Sequence, residues 1–111
     1  MVRAHEGNLA SPVPVIAETS WLLLDRLGPS SQLGFLRMVT VGRLRALDLE
    51  DEDWRRCTKL VERYEDLRLD LMDASLVALA ERLGESMIAT LNRRDFAVVR
   101  PRHVAAFELV P

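Results

Sequence analysis

Apolar residues recur along this chain in two rhythms, and the change from one to the other marks its elements. After Pro12 and Pro14, the stretch VIAETSWLLLDRLG places Ile16, Trp21, Leu22, Leu23 and Leu27 at helical spacing and stops at Gly28, which predicts a helix over roughly 14–27. Ser30 or Ser31 can cap a second short helix through QLGFLRMV. Residues 43–49, RLRALDL, alternate charged and apolar side chains as a half-buried strand does. Asp51 or Asp53 then opens a long amphipathic helix through WRRCTKLVERYEDL, with Trp54, Cys57, Leu60, Val61 and Tyr64 on one face. Asp70 or Asp73 opens another, DASLVALAERL, stopped by Gly84. The segments MIATL, FAVV and AFELV suit short strands. Residues 1–11 carry no period and read as a loose leader ahead of one domain over residues 12–111.

Helix, strand, two helices and then strands is the order of an α/β fold, a sheet with helices packed around it, and no internal repeat interrupts it. In open sheets of this kind, ligands gather outside the carboxyl ends of parallel strands. The polar tail of IATLNRRDF, residues 88–96, falls at such an end.

Composition narrows the class. A chain of 111 residues supports one core. With 49% hydrophobic and 29% charged residues it is neither a disordered chain nor one with an apolar run long enough to cross a membrane. No apolar segment follows Arg3 at the amino end, and the single Cys57 cannot form an internal disulfide, so the cytoplasm is the expected compartment. A net charge of -2 excludes a protein that holds nucleic acid by bulk charge; any such contact is local.

Three acids stand at element ends: Glu18 early in the first long helix, Asp73 at the start of DASLVALAERL, and Asp95 just past MIATL. Clustered carboxylate oxygens suit Mg²⁺ or Mn²⁺, ions that activate water and offset phosphodiester charge. Each acid also has a structural reading, as dipole partner, helix cap or turn residue, and the residues alone favour it. Cys57 is spaced as a core residue, and neither His5 nor His103 forms a Cys/His pair with zinc spacing. There is no Gly-rich phosphate loop and no GxSxG, and Ser75 has no base that spacing places beside it.

Four stretches in order, VIAETSWLL, LMDASLVALAERLG, IATLNRRDF and VVRPRHVAAFELVP, resemble the PIN-domain ribonucleases, in particular the VapC toxins of bacterial type II toxin–antitoxin modules. The likeness runs from about Pro12 to Pro111. It implies a PIN-like parallel sheet flanked by helices and an acidic cluster holding Mg²⁺ or Mn²⁺ for endonucleolytic RNA cleavage. Glu18 and Asp73 match the family's metal-binding acids. Thr90, Asn92 and Asp95 match its Thr-x-Asp/Asn-x-x-Asp-Phe stretch, with Asn92 or Asp95 placing a water or a second ion; Asp70 is near the site by the same alignment. Arg93, Arg94, Arg100 and Arg102 are candidates to hold an RNA backbone. A cognate VapB-like antitoxin and a homodimer are the implied partners.

Two departures matter. The family's opening apolar strand, which carries a central aspartate, has no counterpart before Glu18, so the resemblance implies a domain truncated at its amino end, lacking the first strand and first helix. Loss of a central strand would expose sheet edges. Asn92 stands where relatives commonly have Asp, which removes a charge from the site. Together these imply either an endoribonuclease of weak or lost activity or a non-catalytic PIN remnant that binds an antitoxin or a sister toxin.

Overall fold

The computed structural model describes residues 1–3, 8–89 and 93–110, with the backbone alone at residues 93–95 and 110. Strand β1 (Val2–Arg3) and strand β2 (Leu9–Pro12) lead into helices α1 (Val13–Leu27) and α2 (Pro29–Thr40). Strand β3 (Leu44–Leu47) precedes α3 (Asp51–Arg63), a 3₁₀ turn (Glu65–Leu67) and α4 (Leu71–Leu83). Strand β4 (Met87–Ala89), α5 (Arg93–Val98) and β5 (Glu108–Val110) complete the order. The strands form one sheet ordered β3-β2-β1-β4-β5. The β2/β3 and β4/β5 pairs are parallel, whereas β1 runs antiparallel to both of its neighbours. The α/β expectation, a mainly parallel sheet flanked by helices, holds.

The segment expected as a loose leader contributes two strands instead. Val2 pairs with Ala10 on one side and Ile88 on the other, and all three side chains are fully buried. The middle of the sheet is therefore filled, and the edge exposure expected from a missing central strand is averted. Its direction is set by the length of the link. Only five residues separate Arg3 from Leu9, enough for a hairpin return but far too few for the crossover that a parallel pair requires. Periodicity could not reveal β1, because a two-residue strand holds no period.

FAVV was expected as a strand, and its first three residues close α5. Phe96 and Val99 are buried while Ala97 and Val98 are exposed, a three-residue spacing that belongs to a helix rather than to the alternation of a strand. Phe96 stacks edge-on against Phe107, with ring centroids 6.0 Å apart, so the two ends of this segment share one apolar anchor. The second helix begins at Pro29 after Gly28, whose φ of 98° ends α1; neither Ser30 nor Ser31 caps it.

Helix α4 is the centre of the core. Ala74 through Ala80 are all buried, because α4 is covered by the sheet on one side and by α1 and α3 on others. Its antiparallel neighbour α3 is clamped to it by Arg56 and Glu81, whose paired contacts measure 2.7 and 2.8 Å with both side chains largely buried. At the other end of the sheet face, α2 buries no residue and leans on α1 and β3. No helix among the described residues is long and apolar enough to cross a membrane.

Arg3 ties β1 to the turn before β4 through two contacts with Glu85, at 2.9 and 3.0 Å. The Arg3 guanidinium, together with the Met87 and Ser86 amides, holds the Glu85 carboxyl below its ordinary value. Such a depressed carboxyl stabilises the fold above its unfolded pKa of about 4.3, and the contribution is lost as pH falls through the lower folded value. The stability gap between the native chain and Glu85→Gln is therefore expected to be full at neutral pH and to close below about pH 4, measured by urea unfolding across pH. Leu79, fully buried on α4, should cost roughly 3 kcal/mol when cut to Ala, read from the same unfolding curves.

Candidate active site

Strands β2 and β4 point the same way, so their carboxyl ends lie on one edge of the sheet. Helix α1 starts directly from the end of β2, which puts Glu18 in its second turn, exposed. Because β1 is reversed, its amino end meets the carboxyl end of β4. The amino group of Met1 donates to the Ala89 carbonyl at 2.7 Å, and the Ala89 amide donates to the Met1 carbonyl at 2.8 Å. Burial pushes the Met1 ammonium down to about 6, against the pull of the Asp73 carboxylate. The Asp73 carboxylate, in the first turn of α4, therefore lies within electrostatic reach of the Met1 amino group and so of the end of β4.

The first turn of α4 is held by a cap. The Asp73 amide donates to the Asp70 carboxylate at 3.0 Å, so Asp70 is the capping residue and Asp73 is the third residue inside the helix. Both are candidates for the helix start by sequence; the three-residue spacing of the two acids is the signal, and only the backbone path shows which one caps. Asp70 thereby sets where the Asp73 side chain departs from the helix.

Thr90 and Asn92 lie outside the described residues, and Asp95 is described only as a backbone position in the first turn of α5. The structure thus brings Asp73 to the carboxyl end of β4, puts Glu18 one and a half turns along α1, and has α1 packed against α4. Among the described residues no three His, Cys, Asp or Glu side chains form a metal-binding group. The donor chemistry of Glu18 and Asp73 nevertheless fits a hard divalent cation, since both offer carboxylate oxygens.

Other candidates resolve as structural. Cys57 is buried, and burial, reinforced by Asp53, pushes its thiol up to about 11, which makes it a core residue rather than a nucleophile. The Ser75 hydroxyl is buried and donates to the Met72 carbonyl at 2.7 Å. His103 Nε2 lies 2.7 Å from the Glu85 carbonyl, fastening the loop before β5 near the turn that comes after α4. Arg82 contacts Glu50 at 3.2 Å and Asp53 at 3.0 Å, and Arg102 donates its amide to Glu81 at 2.7 Å. These groups line a cleft of about 560 Å³ whose charges are largely neutralised among themselves.

The family model described as PIN domain matches residues 2–100. The chain belongs to the PIN-domain family. It is 31% identical over 97 residues to Ribonuclease VapC26 of Mycobacterium tuberculosis (strain ATCC 25618 / H37Rv), a match spanning 87% of this chain and 72% of that protein. The resemblance to VapC toxins is thereby shown, and the family match takes in β1 and β2.

In this PIN domain, removal of the α4 cap has a measurable cost. Asp70→Ala is expected to lower stability by about 1 kcal/mol, seen as a drop in Tm, whereas Asp70→Asn, which keeps a capping oxygen, should retain most of it.

Proposed function

We propose that this PIN domain is a VapC-like toxin: an endoribonuclease that cleaves RNA phosphodiester bonds with Mg²⁺ or Mn²⁺, in partnership with a VapB-like antitoxin. The observation that carries this reading is the placement of Asp73 in the capped first turn of α4, beside the carboxyl end of β4. The likeness to a protein named as a ribonuclease supports the same chemistry.

Glu18 and Asp73, joined by Asp95, are the residues that would hold the cation. Bound there, the cation would supply activation of a water and neutralisation of phosphate charge. Asp73 is steadied for this by Asp70, which fixes its helical turn. Thr90 and Asn92 would orient the attacking water from the stretch between β4 and α5 by hydrogen bonds. Asn92 contributes an amide oxygen without charge, which lowers cation affinity relative to a carboxylate. Arg100 and Arg102, both exposed, would give the RNA backbone local positive charge on a chain whose net charge is -2.

Partners are proposed on a second feature. Trp21, Leu24 and Leu27 on α1 and Leu33, Leu36 and Val41 on or just after α2 are each exposed on two helices that pack together, apolar side chains of the kind that an antitoxin segment or a second copy would cover.

A specific observation favours the runner-up, a non-catalytic PIN remnant that binds an antitoxin or sister toxin. The reversed β1 brings the main chain and amino group of Met1 to the edge where Asp73 lies, rather than an aspartate. Neither that amine nor a main-chain carbonyl offers the negative charge of a carboxylate ligand.

The two readings separate in one set of measurements. The purified chain with Mg²⁺ or Mn²⁺ should cleave single-stranded RNA slowly, and Asp73→Ala should lower the rate by at least on the order of 100-fold. Cleavage unchanged by that substitution would sink the site. If calorimetry detects no Mn²⁺ binding while partner binding persists, the remnant reading replaces the enzyme.

A further inference from the structure

Val13, Pro14, Asp48 and Trp54 line a cleft of about 430 Å³. Val13 and Pro14 open α1 immediately after β2, and Asp48 comes immediately after β3, so this cleft lies at the carboxyl ends of two neighbouring parallel strands. Trp54 is also a wall of a second cleft, of about 270 Å³, which runs past Val61 on α3 to Leu71. Leu71 is the first residue of α4, two positions ahead of Asp73. The Trp54 indole is therefore the shared wall of two adjoining clefts that lead from the start of α1 to the start of α4, the two helices that carry Glu18 and Asp73. It is 48% exposed. Trp21 is more exposed, at 60%, yet borders neither cleft.

We propose that Trp54 is a stacking platform for one unpaired base of the RNA substrate, held between the indole and the Pro14 side of the cleft. This rests on the ribonuclease reading and adds a binding subsite to it. A flat, apolar, half-exposed ring at the margin of a nuclease site suits a nucleobase, since every base has a π-face and single-stranded RNA presents its bases splayed out. The larger cleft has the size of a small-ligand pocket, whereas a protein partner needs about 800 Å² of surface on each side. Asp48 at the rim, exposed, can only accept hydrogen bonds when ionised. Guanine offers two adjacent donors, N1–H and the N2 amino group, to its two carboxylate oxygens; uracil offers one. The platform accordingly prefers guanine.

The test uses the full chain in a Trp21→Phe background, which leaves Trp54 as the sole tryptophan. Short single-stranded oligoribonucleotides, guanosine-rich or uridine-rich, are titrated without added metal so that they stay intact. Guanosine-rich RNA should quench Trp54 emission, and a duplex of the same sequence should not. By anisotropy of labelled RNA, Trp54→Leu should weaken binding roughly tenfold while Trp54→Phe stays within about threefold, both variants giving a native far-UV melt. Asp48→Asn should reduce the preference for guanosine over uridine and leave uridine binding unchanged. Retention of RNA affinity in a folded Trp54→Leu chain overturns the platform while leaving the ribonuclease reading intact. Emission that changes with protein concentration and not with RNA overturns it in favour of a second copy on this face. Absence of RNA binding by every form, with and without Mg²⁺, overturns the ribonuclease reading and the platform with it.

Discussion

Between β2 and β4 the sheet leaves a gap one strand wide, directly beneath α4. Backbone amides and carbonyls facing that gap are covered by the most buried helix in the molecule, so without a partner strand they would be lost to both water and protein, at a cost of a few kcal/mol per group. Val2 and Arg3 close it. The short link to β2 permits only an antiparallel return, and that single constraint decides which groups meet at each edge of the sheet. Four strands deliver their carboxyl ends to one edge, and the fifth delivers its amino end there. The edge beside Asp73 thereby also receives the Met1 main chain, and the opposite edge receives Arg3, which closes on Glu85.

Helix α4 links the core to the charged groups at both of its ends. Its alanines and leucines let it lie close to the sheet while α1 and α3 cover its remaining faces. At its first turn, Asp70 caps and Asp73 stands beside the end of β4. At its last turn, Glu81 and Arg82 bind α3 and the loop before β5 through Arg56, Asp53 and the Arg102 amide. A helix pinned by charge at one end and by a cap at the other, with apolar packing between, holds an acid more rigidly than a loop does. Such rigidity is what an oxygen site for a small divalent cation requires.

The surface divides into regions of different character. The packed pair of α1 and α2 exposes the large apolar side chains of Trp21, Leu27 and Val41. The α3 side exposes Trp54 within narrow clefts beside the sheet edge. The cleft at the far end of α4 is charged but satisfied by its own ion pairs. Narrow clefts suit a single flat group, and internal neutralisation suits a structural clamp.

The long helices were legible in the sequence because each runs long enough to show a period, and α1 and α4 also carry their own stops, Gly28 after α1 and Gly84 in the left-handed region after α4. The buried Cys57 and Leu60 and the order of motifs that marks a PIN domain could be read in the same way. The acids could be named but not assembled, since Glu18 and Asp73 are more than fifty positions apart and nothing local relates them. β1 and α5 were missed or misread for one reason: both are short, and tertiary partners decide what a few residues become. Val2 is a strand because β2 and β4 flank it, and Phe96 is helical because Phe107 and the core receive its ring at that angle. Sequence by itself determined the long periodic elements and the chemistry available to them, through local propensity and spacing. The direction of the central strand, the identity of the α4 cap and the meeting of Met1 and Asp73 at one edge were decided only by the tertiary structure, because each depends on groups that come together from distant parts of the chain or on the path of the backbone between them.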